Sequence, residues 1–147
     1  MKPDTDSITF GTSIPELQAR LDAGPFNSWL GLRMVSIDAN LVHFTVPWRP
    51  EFIGTPRLQR MHGGVLAALV DAAAGYTLMA RIGTSITTVD IRTDYHQGAG
   101  VGDLTLEGAV VKLGRKLACV DVRVYTGLKL LAASGRGTFY IATPSQP

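Results

Sequence analysis

The stretch of sequence that decides the fold is His62-Gly63-Gly64-Val65-Leu66-Ala67-Ala68-Leu69-Val70-Asp71-Ala72-Ala73-Ala74-Gly75, an apolar segment that starts with glycine. Asp71 is the only charged residue between Arg60 and Arg81. An unpaired ionised carboxylate in a dry interior is costly, so Asp71 needs a hydrogen-bonding partner, an altered proton affinity or a cavity to face. Asp71 is therefore the first candidate for a functional residue.

The helix predicted over residues 63–80 is apolar enough to raise the question of a membrane span. It contains Asp71, has arginines at both ends, and about half of it is alanine and glycine. We therefore predict a core helix and no membrane partner. On a helical wheel Asp71 shares its face with mostly small residues, which leave room for a substrate or for the backbone of a partner subunit. These are Gly64, Ala67, Ala68, Ala74, Gly75 and Leu78.

The segments around this helix have the two-residue period of β-strands. A hairpin is predicted over residues 32–38 and 41–46, and four more strands over about 86–96, 103–112, 116–126 and 129–141. Short connections between consecutive strands favour an antiparallel sheet over alternating βαβ units. The predicted fold class is α+β, with a long central helix wrapped by a curved antiparallel sheet of about six strands.

The remaining segments complete a single domain over residues 1–147, a usual length for one core. Residues 1–24 are predicted to form an N-terminal extension with a short helix, which begins at the capping box Ser13-Ile14-Pro15-Glu16 and ends at Gly24-Pro25. Residues 47–61 are rich in proline and predict a long irregular loop that leads to His62.

Composition limits the classes of function. The formal net charge of +2 is too small to indicate a nucleic-acid partner, and the single Cys119 indicates a reducing compartment. The N-terminus lacks the apolar core of a secretory signal, so we expect a cytoplasmic protein. Three scattered histidines without a spaced acidic or cysteine partner predict no metal site. A serine nucleophile is disfavoured because no Gly-x-Ser-x-Gly motif is present.

Two motifs carry a resemblance to a known family. His62-Gly63-Gly64 followed by Asp71, together with Thr87-Thr88-Val89-Asp90-Ile91-Arg92-Thr93-Asp94-Tyr95, resembles the hotdog-fold thioesterases of the phenylacetate-degradation (PaaI-like) group. Residues 26–32, 114–116 and 132–139 are also similar to that group's entrance to the first strand, strand turn and last strand. The resemblance implies a hotdog fold and hydrolysis of an acyl-coenzyme A thioester. It also implies a homodimer with joined sheets, assembled as a dimer of dimers, and active sites at the subunit interface. Coenzyme A would be part of the substrate, and no separate cofactor is expected.

The resemblance also assigns roles to individual residues. The backbone N–H of Gly63 would bind the thioester carbonyl, and Asp71 would act as general base or nucleophile. Thr88, contributed by the facing subunit, would help to place water. Members of the group often carry Asn or Gln about six residues before the histidine, where this chain has Pro56. The nearest amide is Gln59, which we take as a substitute in substrate binding.

The same residues have a physical interpretation. Gly63 and Gly64 open the helix, where free N–H groups and the positive end of the helix dipole would stabilise an oxyanion, although two glycines also suit a tight turn. Thr87 or Thr88 could hold the attacking water, but threonine is also simply a good strand former. We expect His62 to cap the helix or fix the loop rather than to act as a base.

Basic residues are candidates for binding the phosphates of coenzyme A. Arg115 and Lys116 lie with Lys112 around a predicted strand turn, and Arg92 lies on another strand. The alternative is a solvated turn that protects a sheet edge.

Two other functions compete with thioester hydrolysis. One is a non-catalytic module that binds or senses acyl-coenzyme A. The other is an enoyl-coenzyme A hydratase on the same fold, which we expect to pair Asp with a His about five residues away. No histidine stands five residues from Asp71.

Overall fold

The computed structural model describes residues 12–142, which form three α-helices and eight β-strands. In chain order they are α1 (Ile14–Ala23), α2 (Pro25–Leu30), β1 (Arg33–Asp38), β2 (Leu41–Val46), β3 (Ile53–Thr55), β4 (Arg60–Met61), α3 (Gly63–Ile82), β5 (Ile86–Tyr95), β6 (Leu104–Leu113), β7 (Leu117–Thr126) and β8 (Leu131–Ile141). One antiparallel sheet has the spatial order β1-β2-β6-β7-β8-β5. The predicted α+β class and the six-stranded antiparallel sheet are confirmed.

Helix α3 is the core of the fold. It packs against β2, β5, β6, β7 and β8, and Leu69, Val70 and Leu78 are fully buried. Burial of each such side chain contributes about 1.5–3 kcal/mol. The helix is long and apolar enough to cross a membrane by length and composition, with a mean hydropathy of 1.5, yet 56% of that stretch is buried inside the fold. Its apolar character is therefore explained by the sheet that packs against it.

The close approach of helix and sheet depends on a glycine in β8. A Cβ atom at Gly135 would lie 2.6 Å from Cγ1 of Val70. The absence of a side chain at this position lets Val70 of α3 approach β8 closely.

The N-terminal segment differs in part from the prediction. The capping box of α1 is present, with the Glu16 N–H donating to Ser13 Oγ at 3.4 Å, and Leu17 and Leu21 are buried. However, Pro25 does not lead directly into the first strand, because it begins a second helix, α2. Proline suits the first turn of a helix, where no hydrogen bond is needed from its nitrogen. The first eleven residues of the predicted extension lie outside the described range.

The predicted irregular loop over 47–61 is more ordered than expected. It contains the short hairpin of β3 and β4 and two single 3-10 turns, Pro50–Phe52 and Pro56–Leu58. The His62 N–H donates to the Phe52 carbonyl at 2.7 Å, which ties the end of this segment to its fully buried Phe52. The start of α3 is therefore anchored by backbone hydrogen bonds.

Candidate active site

Asp71 lies on the face of α3 that meets β5, where it has a hydrogen-bonding partner. Thr88 Oγ1 donates to Asp71 Oδ1 at 2.9 Å. No donor among residues 12–142 contacts the second carboxylate oxygen, Oδ2. The side chain is partly exposed, so Asp71 is not in a dry interior as the sequence alone suggested. The carboxylate is instead held by one oxygen and open at the other.

The open side of Asp71 faces a cleft of about 270 Å³. Asp71 and Thr88 line it together with Phe26, Asn27, Ala68, Ala72, Gly75, Tyr76, Met79, Ile86 and Phe139. Of the small residues predicted to share the face of Asp71, Ala68 and Gly75 line this cleft. Apolar side chains and polar groups line the cleft together, a combination that is typical of small-molecule sites.

Asn27 is a site residue that the sequence analysis missed. It lies on α2 and brings a side-chain amide to the cleft of Asp71. Burial raises the pKa of Tyr76 in the same cleft, and the Arg20 charge and a side-chain hydrogen bond with Asn27 partly offset this. The signal that could have found Asn27 is Pro25, which favours the first position of a helix as well as the end of one.

The N-terminus of α3 forms the second part of the candidate site. His62 caps the helix, because its Nδ1 accepts the Gly64 N–H at 2.8 Å. The Gly63 N–H has no acceptor among residues 12–142. Gly63 lines a second cleft, of about 280 Å³, together with residues that include Arg60, Tyr95 and His96. An unpaired N–H at a helix start is a suitable donor to a developing oxyanion.

Gly63 and Asp71 do not meet within one chain. The two clefts share no residue. Eight residues of α-helix separate the two positions by about 12 Å along the axis and about 80° around it. A single carbonyl group cannot reach both the Gly63 N–H and the Asp71 carboxylate of the same chain.

The position of Thr88 also differs from the expectation. The resemblance implied a hydroxyl from the facing subunit, whereas Thr88 contacts Asp71 of its own chain. Thr87 is exposed, and because neighbouring strand residues point to opposite faces, it points away from the Asp71 side. Thr87 is therefore not placed to share a water molecule with Thr88.

Gln59 is not placed beside Asp71. Its backbone is in the left-handed region with a φ of 49°, and its side-chain amide donates to the Pro56 carbonyl at 2.8 Å. The amide therefore closes its own turn. It lies outside the residues that line either cleft.

The predicted basic residues are separated in the structure. Arg115 and Lys116 are exposed in the turn between β6 and β7. Arg92 makes an ion pair with Asp94 at 3.2 Å and lies opposite Arg136, which is itself held by Asp121. The Asp121 carboxylate raises the pKa of Arg136. Arg92 is thus part of a charged sheet face, well over 10 Å along the strands from the turn.

Metal ligands are not grouped in the part of the chain that the structure describes. No set of three His, Cys, Asp or Glu side chains in residues 12–142 could hold an ion. His43 pairs with Asp38 at 3.2 Å, and His96 Nε2 lies 2.8 Å from Ser134 Oγ. That the protein needs no metal stays a prediction.

Comparison with known proteins identifies the class to which this fold and site belong. The sequence profile of the Thioesterase superfamily matches residues 58–132, which include all of α3. The crystal structure of a protein from the thioesterase superfamily is 35% identical, with a TM-score of 0.82 over 88% of this chain and 98% of that one. The chain therefore belongs to the thioesterase superfamily, and its fold is the hotdog fold.

Particular relatives narrow the comparison. Thioesterase HI1161 of Haemophilus influenzae has a TM-score of 0.81 at 19% identity, covering 92% of this chain and 94% of that one, and this supports the fold alone. The medium/long-chain acyl-CoA thioesterase YigI of Salmonella typhimurium is 24% identical over 135 residues, covering 80% of this chain and 85% of YigI. Ta0293 of Thermoplasma acidophilum, which is named as a candidate esterase, is 34% identical over 83 residues. That match covers 55% of this chain and 62% of Ta0293. Thioester hydrolysis is the general activity that the family match and the similarity to YigI support.

Proposed function

We propose that this protein hydrolyses acyl-coenzyme A thioesters as a member of the PaaI-like group. The observation that carries the proposal is the carboxylate of Asp71, held by Thr88 on one oxygen and open on the other at the wall of a cleft with both apolar and polar lining residues. A base or nucleophile needs a fixed orientation and a free lone pair, and this arrangement provides both.

The chemistry follows from the two oxygens of Asp71. In the base mechanism Oδ2 takes a proton from water while the water oxygen attacks the thioester carbon. The C–S bond then breaks, and coenzyme A leaves as a thiolate. In the nucleophile mechanism Oδ2 itself attacks the thioester carbon, the C–S bond breaks with coenzyme A leaving as a thiolate, and water then opens the resulting anhydride. Both routes need a donor for the carbonyl oxygen, and the Gly63 N–H is the proposed one.

The site would be shared by two copies of the chain. Because Gly63 and Asp71 of one chain are too far apart, the Gly63 N–H that serves one Asp71 comes from a second copy. Strand β5 suits this assembly, since it is an edge strand whose outer side has no strand partner among residues 12–142. Antiparallel pairing of two β5 strands about their midpoint would set Tyr95 of one copy near residues 86–88 of the other. Tyr95 contacts Gly63 and Thr88 contacts Asp71, so the two parts of the site would come together.

Other features of the substrate follow from the same arrangement. The acyl group would occupy the cleft beside Asp71, against Phe26, Met79 and Phe139. Arg115 and Lys116 are the proposed contacts for the phosphates of coenzyme A, which is part of the substrate and the only cofactor-like group required. A tetramer made of two such dimers is proposed from the resemblance. Light scattering would test it by measuring the molecular mass of the assembly.

The experiment compares Asp71→Asn with Glu51→Gln on a panel of aryl and fatty acyl-coenzyme A thioesters. Glu51 is the control, because it is exposed in the turn Pro50–Phe52, makes no side-chain hydrogen bond among residues 12–142 and lines neither cleft. We expect Asp71→Asn to lose turnover with its fold and assembly retained, and Glu51→Gln to keep it. Full turnover in Asp71→Asn would refute the role of Asp71. Wild-type protein that binds acyl-coenzyme A and returns it intact would indicate a binding module, and hydration of a crotonyl thioester would indicate a hydratase.

A further inference from the structure

Tyr95 contacts the helix start that carries the proposed oxyanion donor. It is the last residue of β5, and its hydroxyl donates to the Gly63 carbonyl at 2.7 Å. Its ring covers the same glycine, since a Cβ atom on Gly63 would lie 3.2 Å from Tyr95 Cζ. The side chain is 53% exposed, so this contact is not a simple consequence of core packing.

The peptide groups around Gly63 are fixed on both sides. The peptide between Gly63 and Gly64 is held at its oxygen by Tyr95 and at its N–H by Nδ1 of His62, at 2.7 and 2.8 Å. The peptide between His62 and Gly63 is held at its oxygen by the Val65 N–H at 3.0 Å. Only its N–H, that of Gly63, has no acceptor among residues 12–142.

This arrangement matters because the first turn of a helix is the part most prone to fray. Glycine adds to that freedom, since it lacks the side chain that restricts φ and ψ. A donor that stabilises an oxyanion is effective only when its direction is fixed before the reaction. Most of the contacts above come from the helix and its cap, whereas the contact with Tyr95 is the one that a strand supplies.

We infer that Tyr95 is a positioning residue that fixes the direction of the Gly63 N–H toward the thioester oxygen. The inference rests on the proposed function. Tyr95 acts through its hydrogen bond to the Gly63 carbonyl. Strand β5 thereby orients both parts of the reaction machinery, Asp71 through Thr88 and Gly63 through Tyr95.

The test is Tyr95→Phe, which keeps the ring and removes only the hydroxyl. We expect kcat to fall about tenfold with KM within about twofold, a smaller loss than the 10²–10³ typical of deleting an oxyanion donor. Tyr140→Phe is the matched control, because Tyr140 lies on the neighbouring β8, is 41% exposed and makes no side-chain hydrogen bond among the described residues. Ser13→Ala, which removes the cap of α1 at a residue that lines neither cleft, controls for loss of stability.

The outcomes separate the inference from the proposed function. If wild type hydrolyses acyl-coenzyme A, Asp71→Asn does not, and Tyr95→Phe has wild-type kcat, the inference is wrong while the proposed function survives. The inference is also wrong if Ser13→Ala and Tyr95→Phe have equal stability and show the same fall in kcat, because a loss of stability then explains the fall. A wild-type protein without hydrolysis refutes the proposed function itself. A selective fall in kcat in Tyr95→Phe alone, with assembly unchanged by light scattering, supports the inference.

Discussion

Two inactive variants of this protein should restore each other when their chains are mixed. Gly63→Pro removes the proposed oxyanion donor, because proline has no N–H. The position accepts proline, since Gly63 is the first residue of α3 and His62 has φ and ψ of −62° and 132°, a conformation favoured before proline. Asp71→Asn removes the proposed base. Each variant alone should lower kcat by about 10²–10³.

The size of the recovery follows from the separation of the two residues. Because about 12 Å of helix separates Gly63 from Asp71, the proposed function requires that each site take its donor from one chain and its carboxylate from the other. A mixed dimer then has one site with both defects and one with neither. Random assortment of equal amounts makes half of the dimers mixed, so about a quarter of wild-type activity should return.

The assay is thiol release from an acyl-coenzyme A, measured on co-expressed chains that carry two different tags and are purified through both. For a free dimer this selection isolates the mixed dimers, whose expected activity is about half that of wild type. For a tetramer of two dimers the selected protein also contains dimers of one kind of chain, and its expected activity is about 30% of wild type. Gly63→Ala is the matched control, because it adds a Cβ atom against Tyr95, as proline does, but keeps the N–H. Thermal unfolding of each variant verifies that the fold is retained. Mixed dimers as inactive as their parents would refute the shared site.

Three further predictions concern single positions. Thr88→Val should lower kcat about tenfold, since a hydrogen bond to a charged group is worth about 1.5–3 kcal/mol. Thr87→Val, on the opposite face of β5, should leave kcat unchanged. Equal kcat values in the two variants would contradict this prediction. The pKa of Tyr76 is raised above its ordinary value of 10.0, so the stability linked to its neutral form is present below pH 10 and is lost as pH rises through the folded-state pKa. Urea unfolding from about pH 8 to about pH 11 should therefore show a steeper alkaline loss of stability in wild type than in Tyr76→Phe, and identical slopes would argue against it. Gly135→Ala should destabilise the fold by about 1–3 kcal/mol through overpacking against Val70, and a denaturation midpoint equal to that of wild type would contradict this.

Much of the fold could be predicted because its signals are local. The apolar segment that starts with glycine correctly predicted the start of α3 at Gly63, and the hairpin of β1 and β2 was predicted within one residue of its bounds. The errors lie where one residue can serve two structures. Pro25 ends one helix and begins the next. Lys129 is the first residue of the predicted last strand, but its φ of 58° places it in a turn, and β8 begins only at Leu131.

The candidate site was predicted less completely, because its contacts are between distant segments. Thr88 and Asp71 are 17 residues apart, and the sequence gives their types but not their pairing. Whether a strand threonine contacts the same chain or a neighbour depends on the face to which it points. Asn27 could not be placed because α2 was not predicted. Gln59 was chosen for its chemistry alone, and its own turn uses its amide.

The position of β5 at the edge of the sheet has a consequence for how activity depends on concentration. If the carboxylate and the oxyanion donor come from different copies, a free chain has no complete site. The number of sites in dilute solution then rises with the square of the chain concentration, and specific activity falls when the protein is diluted below its dissociation constant. The strength of the pairing between two β5 strands would thus set the protein concentration below which specific activity declines.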